Sequence, residues 1–331
     1  MMTFLLEYSL FLAKALTILI CLLFAVIGIA ATKRDNDDDE DKFEVRSLNE
    51  YYEEQQDLLY EALLDKKALK ARQKAQKQAE KDEAETQKPR IFVLDFDGDI
   101  EASAVAQLRE QISAVIQIAS TEDRVLLRLE SGGGLVHAYG LAASQLARLR
   151  ARQIPLTVAV DKVAASGGYM MACIGNEIIA APFAILGSIG VVGALPNFNE
   201  LLKQHRIRYE EHTAGEHKRS LTVFGENSEA DREQFRHELA VTHDLFKQHI
   251  HTYRPQLDID ALATGETWYG AQAVENRLID TVGTSDDYIL AHLHSHQLLQ
   301  LEEKSKQRWY DKLKQRFLGN ISARPLKARL R

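Results

Sequence analysis

A serine with two glycines behind it lies between an apolar run and a helix-forming one, in Val163-Ala164-Ala165-Ser166-Gly167-Gly168-Tyr169-Met170-Met171-Ala172. The upstream run, Leu156-Thr157-Val158-Ala159-Val160, is apolar and β-branched and predicts a buried strand. Residues after Ser166, as far as Ile174, suit a helix. A hydroxyl at such a junction can face a cleft, and the free amides at the helix start can face developing negative charge. The plain alternative is an N-cap serine with two glycines easing a turn. Two other stretches bear on the choice. Glu130-Ser131-Gly132-Gly133-Gly134 also follows a strand and precedes a helix, and its glycines let amides approach another group. It lacks the spacing and the Lys-Ser/Thr of a phosphate-binding loop, which leaves an oxyanion hole as its chemistry. Ser188, in Leu186-Gly187-Ser188-Ile189-Gly190, is a hydroxyl in apolar surroundings and needs a partner.

A serine is a poor nucleophile until a base takes its proton. No histidine stands out for that task. His243, His249 and His251 lie on one predicted helix over 227–251, with no metal-ligand pattern, and default to packing or surface positions. Lysine can serve if it is neutral, and burial disfavours its charged form. Lys162, four residues before Ser166, and Lys218, in the polar loop Thr213-Ala214-Gly215-Glu216-His217-Lys218-Arg219-Ser220, are both candidates on spacing alone.

The elements that would position these groups alternate. Strands are predicted at 91–96, 124–129 and 156–160, and helices at 104–118 and 135–150. That order implies an α/β domain with a largely parallel sheet, whose sites gather at the carboxyl ends of strands. The run from Ile178 to Leu195 has no charge, but Pro182, Gly187, Gly190 and Gly193 break it into short buried strands. Another helix and strand, through Leu278-Ile279-Asp280, end the domain.

The chain has 331 residues, 45% apolar and 27% charged, with a net charge of −7. That balance argues against a nucleic-acid partner. Cys21 and Cys173 are the only cysteines, too few and too apolar in setting for a disulfide framework or thiolate metal site. No cofactor and no metal are called for. Ala15 to Ala31 carries no charge, and with Leu10–Ala13 it predicts an uncleaved N-terminal transmembrane helix, with Lys14 snorkelling. Lys33 and Arg34, just beyond, would prefer the cytoplasmic side. The expected division is an anchor over 1–32, a charged helical spacer over 33–89, a catalytic domain over 90–295 and a basic tail over 296–331. Leu48, Tyr52, Gln55, Leu59 and Ala62 give the spacer a partial heptad. The tail is rich in Lys and Arg and could lie on anionic lipid.

Taken together, four stretches resemble the signal peptide peptidase A family of serine–lysine peptidases. They are 129–134, 161–172, 184–192 and 213–219. The resemblance implies a ClpP/crotonase-like fold and a membrane-anchored serine endopeptidase with a periplasmic catalytic domain at the bacterial inner (plasma) membrane. It makes Ser166 the nucleophile and Lys218 the general base. Gly133 and Gly134 would form the oxyanion hole, and Ser188 would orient Lys218. It also implies peptide or protein substrates such as signal-peptide remnants or misfolded envelope proteins. The family assembles into homo-oligomeric rings, and in single-domain members the lysine reaches the serine of a neighbouring protomer. Where the family has Asn-Ser-Pro-Gly-Gly, this chain has Glu130-Ser131-Gly132-Gly133-Gly134, and losing the proline loosens the turn in the unfolded chain. Two rivals remain: a pseudo-protease scaffold with an idle Ser166, and a crotonase-like acyl-CoA enzyme, which needs no lysine base.

Overall fold

Strands made of Val, Ile, Leu and Phe alternate with amphipathic helices, and they do so because each strand must be covered on both faces. The computed structural model describes residues 2–32, 43–83, 88–215 and 218–303, with side chains for 7–22, 43–76, 88–215 and 218–302. The N-terminal unit contains α1 (Met2–Thr32). Among the described residues, no helix is long and apolar enough to cross a membrane.

The second unit, Phe43–Glu303, opens with β1 (Phe43–Ser47), α2 (Leu48–Leu63) and α3 (Lys66–Glu83). Then come β2 (Arg90–Gly98), α4 (Val105–Ile118), β3 (Arg124–Ser131), α5 (Val136–Ala151), β4 (Leu156–Val160), β5 (Val163–Ala165) and α6 (Gly167–Ala172). β6 (Glu177–Ala180), β7 (Ile185–Gly187), α7 (Asn199–Gln204), α8 (Glu229–Tyr253), α9 (Ile259–Leu262) and β8 (Thr267–Tyr269) follow. The unit closes with α10 (Gly270–Glu275), β9 (Thr281–Val282), α11 (Ser285–His292) and β10 (Gln297–Glu303).

The main path of the sheet runs β1-β10-β2-β3-β4-β6-β9, with β5 bridging β3 and β7, and β8 on β7. Among the described residues all pairings are parallel except β1 with β10 and β7 with β8. The period of two decides which side chain goes where. Phe92, Leu94 and Phe96 join the larger core, shared with α4, α5, α6 and α8. Ile91 and Val93 join the opposite one, with Leu48, Tyr288 and Ile289. β4 is buried along its whole length, as expected of a central parallel strand.

The described residues add four points to the expected pattern. β1 and β10 extend the sheet beside β2, so the unit that holds 90–295 runs over Phe43–Glu303. Residues 297–303, assigned to the tail, pair in parallel with β2, and their period-2 pattern, with Leu299 and Leu301 packed on one core and Leu298 on the other, is the reason. The spacer is correspondingly not free at its start. Leu48 is buried, and the Asn49 amide donates to the Leu293 and His296 carbonyls while accepting from the Leu298 amide. It also breaks at Leu64-Asp65, where Asp65 caps α3 by accepting from the Lys67 and Ala68 amides. Lastly, the uncharged run beyond Gly187 does not form another buried strand: Val192 is 90% exposed and 188–198 has no regular structure. The basic tail from Lys304 onward lies outside the described residues.

Candidate active site

Three neighbouring strands end together. β5 pairs with β3 through Ser131↔Ala164 and with β7 through Ala165↔Gly187. The residues that follow those ends are the glycine turn 132–134, Ser166 and Ser188, so the sheet register alone gathers three of the predicted motifs. Ser166 has φ 52° and ψ −117°, and Ser188 has φ 49°, a left-handed conformation that costs a non-glycine residue roughly 1–3 kcal/mol. Fixed hydrogen bonds hold both corners. The Ser166 amide donates to the Gly187 carbonyl at 2.8 Å, and the Ser188 amide to the Glu266 carbonyl at 2.6 Å. The Ser166 side chain caps nothing, so its hydroxyl is not consumed by the N-cap role that the sequence also allowed.

The glycines behind Ser166 are required by proximity. A side chain at Gly167 would overlap the Tyr139 ring, and one at Gly168 would come to 2.5 Å from the Ser131 carbonyl oxygen. Gly133 is demanded twice over: its φ is +90°, and a Cβ there would sit 2.7 Å from both Ser166 Cβ and the Gly167 nitrogen. The glycine turn is therefore pressed against the serine corner. The Gly133 amide donates to Ser131 Oγ at 3.1 Å. Among the described residues the amides of Gly134 and Gly167 have no acceptor, and both flank this contact. Gly167 was visible in the sequence only as part of a helix start.

The two candidate bases differ. Lys162 Nζ pairs with Glu130 at 2.9 Å, and that hydrogen bond raises its pKa and keeps it charged. A charged ammonium cannot accept a proton, which counts against Lys162. Lys218 has an exposed side chain, and among the described residues no hydrogen bond links it to Ser166 or Ser188. It lies in the segment between Ser188 and α8, whose described part is held by local bonds. Asn197 donates to the Thr222 and Gly225 carbonyls, and Glu211 accepts from Tyr209 and pairs with Arg219. Glu216 and His217, beside Lys218, lie outside the described residues. Thus the fold brings Ser166, Ser188, Gly133 and Gly134 together, while among the described residues no hydrogen bond joins Lys218 to them.

His249 proves to be a packing residue. Its Nε2 meets the Met170 carbonyl at 2.9 Å, beneath α6, and burial lowers its pKa. Cys173, on the same helical stretch, is buried, and burial pushes its thiol well above the ordinary range.

The strand order defines a mixed α/β sheet fold with the glycine turn and the serine corner at one end of neighbouring strands. Residues 3–146 match the peptidase family S49 N-terminal region and residues 148–300 match peptidase family S49, so the chain belongs to that family and is a peptidase. It is 47% identical over 314 residues to the "Probable protease SohB" of Haemophilus influenzae, covering 90% of this chain and 89% of that one. A protein of the same name from Buchnera aphidicola is 47% identical over 304 residues, covering 88% of this chain and all of its own. A solved membrane-bound stomatin-specific protease with a bound substrate peptide is 14% identical, with a TM-score of 0.43, covering 68% of this chain and 98% of that one.

Proposed function

We propose that this peptidase is a serine endopeptidase in which Ser166 is the nucleophile and Lys218 the general base. The observation that carries the proposal is the corner at Ser166: a strained serine that caps nothing, pressed against a glycine turn whose next amide has no acceptor among the described residues. Neutral Lys218 takes the hydroxyl proton as Ser166 Oγ attacks the peptide carbonyl. The tetrahedral oxyanion lies against the amides of the 133–134 turn, with Gly134 the available donor because Gly133 already donates to Ser131. Lys218 then passes its proton to the leaving amine, and water, deprotonated by the same lysine, releases the acyl group. Ser188, one register step across from Ser166, orients the lysine amine by hydrogen bonding.

The Lys218 side chain is exposed in a single chain. A second copy would bury it. The same segment presents Val192, Phe198, Leu201, Ile207 and Phe224 to solvent, an apolar surface of the kind that an assembly covers. On this reading the dyad spans protomers of a homo-oligomeric ring. The uncharged run from Ala15 to Ala31 supports a single-pass anchor in the inner (plasma) membrane, with the catalytic domain periplasmic and the basic tail on anionic lipid. Signal-peptide remnants and misfolded envelope proteins are the proposed substrates.

The test is intact-mass analysis of the full-length protein after treatment with a fluorophosphonate. One adduct, located on Ser166 and absent from Ser166→Ala, is expected. Peptide turnover with no adduct on Ser166 would overturn the assignment. Thioester turnover instead of peptide turnover would identify an acyl-CoA enzyme, and neither activity would leave a scaffold.

A further inference from the structure

Beneath the glycine turn runs a chain of hydrogen bonds that none of the motifs requires. The Gly133 amide donates to Ser131 Oγ at 3.1 Å. Ser131 Oγ and Tyr139 Oη lie 2.5 Å apart, and the Tyr139 hydroxyl reaches the Asp99 carbonyl at 2.7 Å. Ser131 Oγ also lies 3.3 Å from the Gly98 carbonyl, to which it can donate. An amide can only donate and a carbonyl can only accept. The two hydroxyl protons therefore serve the bond between Ser131 and Tyr139 and one of the carbonyls of Gly98 and Asp99, and in either arrangement Ser131 keeps a lone pair for Gly133. All members are satisfied, and such chains strengthen one another in a dry interior. The interior here is dry: Tyr139 is 0% and Ser131 2% exposed. Burial raises the Tyr139 phenol above its ordinary value, so it stays a donor.

The surroundings are shaped to this chain. A Cβ at Gly98 would come to 2.5 Å from the Tyr139 oxygen and 2.7 Å from Ser131 Oγ. The ring of Tyr139 meanwhile fills the space that a side chain at Gly167 would need. One residue in the first turn of α5 thus touches the serine corner with its ring and the glycine turn, through Ser131, with its hydroxyl.

We propose that Tyr139 is a positioning residue for the oxyanion hole: its hydroxyl orders Ser131, which holds the Gly133 amide and so aims the amide of Gly134. This rests on the serine-peptidase reading above. It makes a specific claim about which amide works, because Gly133 is held and Gly134 is free.

The test compares full-length wild type, Tyr139→Phe, Ser131→Ala and the double variant on one peptide substrate, with a peptide aldehyde as a probe of the tetrahedral state. Misplacing a donor by about 1 Å costs up to about a hundredfold. Tyr139→Phe should therefore lower kcat by about tenfold with KM nearly unchanged, and weaken the aldehyde in step with kcat/KM. Ser131→Ala should lose more, and the double variant no more than Ser131→Ala alone, since Tyr139 acts through Ser131. A folded Tyr139→Phe enzyme with wild-type kcat and aldehyde affinity would overturn the proposal. So would losses that multiply in the double variant, or higher activity in Ser131→Ala, which would make the released Gly133 amide the donor. Fluorophosphonate labelling of Ser166 in wild type separates the two levels: labelled and active wild type with an unaffected Tyr139→Phe sinks only the positioning role, whereas active but unlabelled wild type sinks the nucleophile as well.

Discussion

The corner that carries Ser166 and the segment that carries Lys218 are built in opposite ways. Ser166 follows a strand that is bonded on both sides, and the helix after it is buried throughout. Lys218 stands in a stretch with one short helix and no strand among its described residues, and its side chain is exposed. Strain explains the contrast at the corner. A left-handed serine persists only where neighbours over-determine it, and the Gly187 carbonyl, Gly133 and Tyr139 all do so. Among the described residues the bond made by Lys218 is local, from its amide to the Gly215 carbonyl at 3.2 Å. The proposed nucleophile is held by the fold around it, and the proposed base stands in a segment with little regular structure among its described residues.

Lys218→Arg gives the largest effect that can break this contrast. Arginine keeps the charge but cannot be neutral in a protein, since its pKa is above about 12. The folded, assembled variant should be inactive, and wild-type activity should rise with pH because the base must shed its proton. Near-normal peptidase activity in Lys218→Arg would show that the segment supplies only charge. Gly133→Val comes next and probes the corner. A β-branched residue at φ +90° and against Ser166 Cβ should cut kcat by about 10²–10³-fold, as loss of one oxyanion donor does. Full activity in a folded Gly133→Val protein would remove the turn from the mechanism.

A smaller effect, on stability, sharpens the comparison by testing the sheet that holds the corner. Asp123, at the start of β3, is buried, which alone would raise its pKa. Hydrogen bonds from the Arg90 guanidinium, the Ser120 and Arg90 amides and the Ser120 hydroxyl outweigh that and hold it far below the usual carboxylate range. Because the folded pKa is depressed, its stabilisation is present above the unfolded value of about 3.9 and is lost as pH falls below it. Asp123→Asn should cost roughly 3 kcal/mol at neutral pH, read by urea melts, and the cost should shrink toward acid pH. A pH-independent difference would contradict the charge assignment.

Much of this was legible in the residues. The strands 91–96, 124–129 and 156–160, the helices between them and the Ser166 junction follow from period and punctuation, and each lies where that pattern put it. What could not be read was long-range. β10 sits beside β2 although some two hundred residues separate them, and β1 pairs with β10 at the sheet edge; neither is announced by a local signal. The Gly133 amide gave no hint that Ser131 would claim it, since that depends on where Tyr139 packs. Val192 looked buried because it is apolar, but among the described residues nothing covers it. Lys218 could be named from the family resemblance and not located, because its loop has no strand register to place it.

The central claim is that the two regions complete each other across copies. Ser166→Ala and Lys218→Ala, each inactive alone, should be mixed, dissociated and reassembled, with distinct tags proving that mixed assemblies form. The account predicts that peptidase activity returns in the mixture, from sites pairing an intact Ser166 with an intact Lys218 of another chain. No activity in demonstrated mixed assemblies would contradict it and place both groups in one chain.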